Sequence, residues 1–371
     1  MNTSHTSNSF RVIRAVIRKD VLEWLHQPRQ IIVTILPTFG LLFVLILGAA
    51  AVGHNKVALV VLSSGPHTDQ MVQAIEKQDA FVITHTTPEE ADALIKSLKI
   101  EAVITIPADF EAHFTAGQTA PIDYEVNNLN LDFTNDLRRS LPDAITMFYA
   151  SQPNSPITVS VSENDLRLQD IDQVQFQVLP LLVQLLTAAG VLNTGLAAAR
   201  EWETLTIKEL YQAPINRRDL IIGKTMAGWL ITMFYGIVAL VVATLAGYFH
   251  PQGIYWLSTL FIMALVALAS AGLGVTLAAL VRREQRVIAL STNLTFYLFF
   301  LSGGITVIAF LPAVIQTIAR FVPTYYGVHA LQMAVFYNSS DLLLRDSAVL
   351  AITAIVMVGI GAYAFRRRLL D

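Results

Sequence analysis

Two long apolar runs are separated by a dense island of charge at residues 200–224, and this arrangement limits the folds open to the chain. Charged side chains cannot enter a hydrocarbon layer without a large free-energy cost. The segment must therefore lie at a membrane face or beyond it. The island holds nine charged residues, which are Arg200, Glu201, Glu203, Lys208, Glu209, Arg217, Arg218, Asp219 and Lys224.

The pattern inside the island predicts a short helix followed by a second helix start. Leu205, Leu210 and Tyr211 recur at roughly helical spacing, and Pro214 ends the helix. Asn216 fits the N-cap position of the helix that follows. A soluble partner could bind a segment of this kind, which consists of an amphipathic helix, a proline break and a basic turn between two spans.

The composition is that of a polytopic membrane protein. Of 371 residues, 54% are hydrophobic and 14% charged, with a mean hydropathy of +0.54. A soluble domain usually has about 25% charged residues. Because the chain has no cysteine, a disulfide framework and a thiolate metal site are both excluded. The first apolar run begins near Ile31 and is not followed by an Ala-x-Ala-like site, which favours a span over a cleaved signal peptide.

Six apolar segments are long enough to cross a hydrocarbon core of about 30 Å. They fall at residues 30–52, 174–199, 225–248, 256–281, 287–308 and 347–365.

The segments that flank these spans are predicted to lie at the membrane surface. Within residues 1–29, a basic amphipathic pattern over residues 10–27 predicts an interfacial helix, and a simple positive flank is the alternative. Residues 309–335 are apolar but broken by Pro312 and Pro323, so we expect re-entrant or interfacial pieces there rather than a seventh span.

The distribution of Lys and Arg predicts the orientation. Basic residues are concentrated in residues 1–29, in residues 200–224, after the fourth span and at the C-terminus. With six spans all four groups fall on one side, which the positive-inside rule assigns to the cytoplasm. Both termini and the charged island are therefore predicted to be cytoplasmic.

Residues 53–173 are predicted to form an extracytoplasmic α/β domain. Short buried strands are expected at residues 57–62, 81–84, 102–106, 122–126 and 157–161, with helices at 67–78, 88–98 and 130–150. The segment holds 7 Lys and Arg against 18 Asp and Glu, a net charge of −11 that leaves +8 on the rest of the chain. The acidic surface is typical of a solvated outer face, and attraction of cationic substrates is the alternative.

The charged island resembles the cytoplasmic loop of ABC-2 type permeases, the membrane subunits of a class of ATP-driven exporters. The likeness is carried by Arg200-Glu-x-Glu, Thr206, Glu209-Leu210, Pro214 and the basic pair before the next span. In that family the loop forms a coupling helix that docks on the ATPase. Leu205 departs from the pattern, because the family usually has glycine before the threonine.

The resemblance covers essentially the whole chain and implies a set of partners. It implies a bacterial inner-membrane exporter of two permease copies, identical or different, and two ATP-binding cassette ATPase subunits. ATP and Mg²⁺ would be held by the ATPase, and this chain would bind no cofactor. Membrane lipids and a periplasmic membrane-fusion protein are further expected partners, and nucleic acid is not.

The resemblance also assigns a coupling role to residues of the loop. Acidic side chains would pair with basic groups on the ATPase, and apolar ones would fill its groove. The expected coupling residues are Glu201, Glu203, Leu205, Thr206, Glu209, Leu210, Tyr211 and Pro214.

A polar stripe runs down the second predicted span. At 100° per residue, Gln177, Gln184 and Thr187 fall on one face, and such a stripe is not expected to face lipid. It either packs against another helix of the chain or lines the translocation path or dimer interface. Asn293, in a second polar cluster on the fifth span, is the fourth candidate for that role.

Other kinds of chemistry have little support in the sequence. Gly223-Lys224-Thr225 resembles the end of a phosphate-binding loop, but the required earlier glycine is Arg218. Gly272-Leu-Gly274 inside a span indicates helix packing. The histidines show no metal-binding spacing. A membrane-anchored sensor or signalling protein with an outer ligand-binding domain remains the main alternative. An ion-coupled transporter would need acidic residues inside the spans, and a membrane enzyme would need an acid–base pair or metal set there.

Overall fold

The computed structural model describes residues 3–51, 55–97, 99–126, 131–152, 173–212, 215–304, 308, 311–340 and 342–368. The chain divides into a helical unit, Met1–Leu45 with Arg167–Asp371, and an inserted unit, Ile46–Leu166. The elements in chain order are α1 (Thr3–Leu25), α2 (Pro28–Ala51), β1 (Asn55–Val61), α3 (Pro66–Glu76), β2 (Phe81–His85), α4 (Pro88–Lys96), β3 (Ala102–Ile106), α5 (Phe110–Thr115), β4 (Asp123–Val126), α6 (Leu131–Ala150), α7 (Gln173–Glu203), α8 (Thr206–Gln212), α9 (Arg217–Leu245), α10 (Tyr255–Val281), α11 (Glu284–Leu301), α12 (Ala313–Ala319), α13 (Pro323–Val335) and α14 (Leu343–Arg368).

The inserted unit is an α/β domain built on a four-stranded sheet of order β2-β1-β3-β4. Strands β2 and β3 pair parallel to β1, and β4 pairs antiparallel to β3. An uninterrupted apolar run such as β1 is typical of a strand buried on both faces. Val57 and Leu59 face the core formed with α3 and α6, whereas Ala58 and Val60 face α4 on the other side.

The sequence predicted most of this domain. Strands β1 to β4 and helices α3, α4 and α6 all form where expected, within a few residues. Helix α5 was not predicted. The strand predicted at 157–161 lies outside the described residues. The side of the membrane on which this unit lies stays a prediction.

Helix α7 lies at the centre of the helical unit. It packs against α9, α10, α11 and α13, and 89% of the positions in its most apolar stretch are buried. The corresponding share for α14, which packs mainly on α10, is 22%. The second predicted span is therefore an interior helix of the single chain, and the last is peripheral.

Glycines bring the helices of this unit into backbone contact. A Cβ atom on Gly272 would lie 2.5 Å from the backbone nitrogen of Val358, and one on Gly274 would lie 2.6 Å from the carbonyl of Val191. Small residues permit such approaches between membrane helices, where apolar side chains give no hydrophobic gain against lipid. The prediction that Gly272-Leu-Gly274 serves helix packing is confirmed.

Four described helices, α7, α9, α10 and α14, are long and apolar enough to cross a membrane. Helices α1 and α2, which meet at a 75° bend over the described range Ser9–Val44, provide a fifth span if they are counted as one. Helix α11 is not among these helices, so the predicted six spans are not confirmed. Helices α12 and α13, with 7 and 13 residues, are too short to cross a membrane. This agrees with the prediction that residues 309–335 form short pieces rather than a seventh span.

The N-terminal helix folds against the start of α9. Arg11, Arg14 and Arg18 are all exposed, which agrees with the predicted basic face. Trp24 on the opposite side is buried and donates a hydrogen bond to the Tyr235 hydroxyl at 3.1 Å. The 75° bend between α1 and α2 agrees with the predicted interfacial helix before the first predicted span.

Candidate functional site

The charged island between α7 and α9 adopts the predicted local structure. Helix α7 ends at Glu203, and the short helix α8 follows. Helix α9 begins after Asn216, whose side chain accepts a hydrogen bond from the backbone N–H of Arg218 at 3.1 Å. The predicted N-cap is confirmed. Pro214 lies outside the described residues.

Leu205 joins α7 to α8 in a left-handed backbone conformation. Its φ is 62°, a value that costs a residue with a Cβ atom about 1–2 kcal/mol. Glycine is the usual residue where a helix ends in this conformation. A glycine, the residue found here in the resembling loops, would relieve this strain, which the present chain accepts. The Leu205 side chain is 61% exposed.

Behind the loop, a buried ion cluster joins three helices. The Lys224 ammonium at the start of α9 lies 2.9 Å from the Glu201 carboxylate and 3.3 Å from that of Asp20 on α1. Lys19 pairs with Glu201 from the more exposed side, and the Thr206 hydroxyl donates to the same carboxylate. Two positive and two negative charges balance, as buried ions require.

Arg200 forms a second link at the same level. Its guanidinium lies 2.9 Å from the carboxylates of Glu23 on α1 and Glu284 on α11, and it donates to the Gln27 amide oxygen at 2.6 Å. The last turn of α7 is thereby tied to α1, α9 and α11 by charge-assisted hydrogen bonds, which are about twice as strong as neutral ones.

These contacts correct one part of the predicted coupling surface. Glu201 was expected to pair with basic groups of an ATPase, but its side chain is 3% exposed and is already paired with Lys224 and Lys19. Thr206 is half-buried and bonded to Glu201, so it also serves the interior.

The remaining predicted coupling residues lie differently. Glu203 and Glu209 are exposed, although Glu203 also accepts a hydrogen bond from the backbone of Glu284 at 3.1 Å. Leu205 is exposed as well. Leu210 and Tyr211 lie on α8, and their side chains are outside the described part of the structure. The surface open to a partner therefore includes Leu205, Glu203 and Glu209.

The polar stripe of α7 lies inside the chain. Gln177, Gln184 and Thr187 are each 5% exposed or less, so they are not on a surface that a second copy could contact. The dimer-interface alternative does not fit these three residues, and packing within one chain does. Asn293 on α11 is exposed and donates to the backbone carbonyl of Ala289 at 2.8 Å.

Part of this stripe borders a small polar cavity. Among the described residues, the Gln184 Oε1 and Ser291 Oγ atoms are buried without a hydrogen-bond partner. Both residues line a cavity of about 20 Å³ together with Thr34 and Thr295. Its size and polarity suit one bound water molecule, which would bridge α2, α7 and α11.

Sequence reasoning missed Asp20 and the structural role of Lys224. A signal was present, because an ionisable residue at the edge of an apolar helix implies a nearby partner of opposite charge. The partner itself could not be identified, since the whole inserted unit separates Asp20 from Lys224 along the chain.

In the inserted unit, the crevice beyond the carboxyl ends of β1 and β3 is filled by the chain itself. Ligands of doubly wound sheets bind at such a switch point. Here the Glu111 carboxylate accepts hydrogen bonds from the backbone N–H groups of His67 and Thr68 at 3.3 and 2.8 Å. Burial alone would raise the pKa of Glu111, but the bonds from His67 and Thr68 outweigh it and hold this pKa at about 2.

The helical unit combines long apolar helices packed around α7 with a charged loop between two of them, as expected of a membrane permease. The family described as "ABC-2 family transporter protein" matches residues 28–363, and the chain belongs to this family. It is a permease subunit and a multi-pass membrane protein. Membership implies an ATPase partner and a dimeric organisation.

Similar proteins are known from Escherichia coli strain K12. The chain is 24% identical over 374 residues to the "Probable multidrug ABC transporter permease YbhR", covering 97% of this chain and 99% of that protein. It is 24% identical over 393 residues to the "Probable multidrug ABC transporter permease YbhS", covering 97% and 98%. The "Inner membrane transport permease YhhJ" is 24% identical over 266 residues, covering 68% and 69%.

Proposed function

We propose that this chain moves a hydrophobic or amphiphilic substrate outward, driven by an ATPase that presses on the loop between α7 and α9. One observation carries the proposal. At the junction of α7 and α8 the chain keeps a strained, exposed apolar residue, Leu205, beside the exposed acids Glu203 and Glu209. Strain that the fold does not require is typical of a functional contact.

The ion pairs behind the loop would pass movement of α8 to the rest of the helical unit. Arg200 and Glu201 close the last turn of α7, and their partners lie on α1, α9 and α11. Breaking a buried pair is costly because it leaves a charge uncompensated. Displacement of α8 would therefore move four helix ends together rather than bend α7 alone.

The proposed arrangement in the membrane keeps the predicted six spans, with both termini and the loop in the cytoplasm of a bacterial inner membrane. The clustering of Lys and Arg in residues 1–29, 200–224 and at the C-terminus supports this orientation. The inserted unit would lie outside, where it could contact a membrane-fusion protein. ATP and Mg²⁺ would be bound by the ATPase subunits.

The similar permeases support the class of substrate. YbhR and YbhS carry names that describe them as probable multidrug permeases, and the chain covers nearly all of both. Multidrug substrates are commonly apolar or amphiphilic, which is why we place this chain's substrate in the same class. The alternative of an outer sensor predicts a stable protein that works without an ATPase.

The test is charge reversal on the exposed face of α8. Glu209→Lys should weaken association with the ATPase and lower transport, because it places a positive charge against basic groups of the partner. Glu89→Lys, the same change at another exposed glutamate, on α4 of the inserted unit, is the matched control and should leave both unchanged. Unchanged association and transport in Glu209→Lys, at normal expression, would remove the support for coupling through this loop.

A further inference from the structure

A cavity of about 220 Å³ lies inside the helical unit, apart from the loop described above. Its floor is formed by α10 and α7, its sides by α11 and α14, and one end by the start of α13. The residues that define these walls are Thr187, Val266, Ser270, Leu298, Thr324 and Thr353.

The chemistry of the lining selects an apolar ligand. Its polar members are four hydroxyl residues, and each donates its proton to a backbone carbonyl: Thr187 at 2.8 Å, Ser270 at 2.7 Å, Thr324 at 3.3 Å and Thr353 at 2.8 Å. No charged side chain is among the described residues of the lining. The walls therefore offer methyl groups and hydroxyl lone pairs but no hydrogen-bond donor. An apolar cavity of about 150 Å³ is already known to stay dry and to bind hydrocarbons.

The wall of the cavity between α11 and α14 is the thinly packed one, and a hydrocarbon chain could enter there. Helix α11 packs mainly on α7, and α14 packs on α10, but in the described residues α11 and α14 have little direct contact. Leu298 and Thr353 border the gap and are half-buried. On both sides of the gap the outer faces are apolar and exposed, as Tyr297 and Ile352 show with 68% and 63% exposure.

By position along the helices, this wall falls within the predicted hydrocarbon core. Thr353 is in the third turn of α14, about 15 Å from the helix start at Leu343, given a rise of ~1.5 Å per residue. Ser270 lies about 22 Å along α10 by the same rise, counted from Tyr255. A hydrocarbon core is about 30 Å thick, so what faces this gap is lipid chain rather than water.

We propose that the cavity is a binding site for the acyl chain of a bilayer lipid, which enters one permease copy between α11 and α14. The occupant follows from three observations: a lining without donors or charge, a volume suited to hydrocarbon, and a thinly packed wall at acyl-chain depth. The proposal rests on the membrane-spanning class of the chain and not on the coupling role proposed above, so either can fail without the other.

The test is photolabelling of the full chain in phosphatidylcholine vesicles whose lipid carries a diazirine at mid-chain. After irradiation, mass spectrometry locates the labelled residues. We expect the lining residues Ser270, which is buried, and Leu298 to be labelled as well as Ile352 on the outer face, which bulk lipid reaches in any case. Thr353→Trp should lower labelling of Leu298 by about tenfold, the change expected when one or two methylenes of the acyl chain are no longer buried. Ile352→Trp, one residue along on the outer face, is the control and should leave it unchanged.

Labelling confined to the outer faces, with none at the buried lining residue Ser270, would overturn the proposal. This comparison needs only the unmodified protein, so it stands even if Thr353→Trp fails to fold. A parallel experiment uses a photoreactive cationic amphiphile at low concentration in unlabelled vesicles. If that compound labels Leu298 and Thr353 while the lipid does not, the site belongs to a soluble amphiphile and the assignment to lipid is wrong.

Discussion

Replacing Leu205 by glycine separates two properties of this residue, its strained backbone and its exposed side chain. Leu205 has a φ of 62°, where a Cβ atom costs about 1–2 kcal/mol and glycine avoids almost all of that cost. Glycine also loses more chain entropy on folding, which offsets part of the gain. We therefore expect Leu205→Gly to raise the free energy of unfolding by about 1 kcal/mol.

The same change should weaken binding of the ATPase. The Leu205 side chain is 61% exposed, so about three-fifths of its surface remains to be buried by a partner. Full burial of a leucine side chain contributes about 1.5–3 kcal/mol. Leu205→Gly should then reduce the binding free energy by roughly 1–2 kcal/mol, which corresponds to about tenfold weaker association.

Leu205→Ala is the control, because alanine keeps a Cβ atom at the left-handed position but removes most of the apolar side chain. Thermal unfolding in detergent measures stability, and titration of the purified permease with its ATPase measures association. Glycine should give a more stable protein than leucine or alanine, whereas glycine and alanine should bind the ATPase equally weakly. If Leu205→Gly destabilises the protein, the backbone at this position is not strained; if both variants bind normally, Leu205 does not touch the ATPase.

Three further predictions concern contacts within the helical unit and within the inserted unit. Lys224→Met should lower stability by about 3–5 kcal/mol in thermal unfolding, because it leaves buried carboxylates without their main partner, and adding Glu201→Gln should restore part of the loss. Gly272→Ala should lower the unfolding temperature, since its Cβ would lie 2.5 Å from the backbone of α14, whereas Gly359→Ala, with nothing within 4 Å, should not. The depressed pKa of Glu111, about 2 against an ordinary 4.5, stabilises the start of α3 above pH 4.5, and this contribution is lost as the pH falls toward 2. Hydrogen exchange of α3, corrected for intrinsic rates, should speed up as the pH falls toward 2 in the unmodified protein but not in the Glu111→Gln variant. An equal pH dependence in both proteins would contradict this role of Glu111.

The strands of the inserted unit were predictable because their signal is local. The run from Val57 to Val60 is apolar at every position, as a strand covered on both faces must be. Helix α5 was missed because it has no such local signal. Its six residues, Phe110–Thr115, are too few to show a helical period, and Phe110 is buried by packing against distant parts of the chain.

The secondary structure of the loop between α7 and α9 could be predicted from the sequence, but the partners of its side chains could not. Charge density and Pro214 indicated a short surface helix, and Asn216 indicated the next helix start. Glu201 appeared equally available to an outside partner, because nothing near it in the sequence shows that Lys224 and Asp20 lie on the same side. Pairing between distant segments is set by how the helices pack, which periodicity alone does not give.

The polar stripe of α7 shows a related limit. Helical periodicity established that Gln177, Gln184 and Thr187 share a face that should avoid lipid. Whether that face meets another helix of the same chain or a second copy depends on the order of the helices around α7. The structure places α9, α10 and α11 around it, so the stripe is buried within one chain.

The packing between helices indicates where the helical unit can change shape. Helices α7, α10 and α14 are joined through Gly272 and Gly274 with backbones in contact, and a packed interface of this kind moves as a block. Helix α11 is fixed at its first turn by Glu284 to Arg200, yet it has little contact with α14 along its length in the described residues. In the proposed mechanism, a push on α8 would pass through Thr206 and Glu201 to the end of α7, and from Arg200 to α11. We therefore expect the gap between α11 and α14 to change more than any glycine-packed interface, because movement there disrupts the least packing.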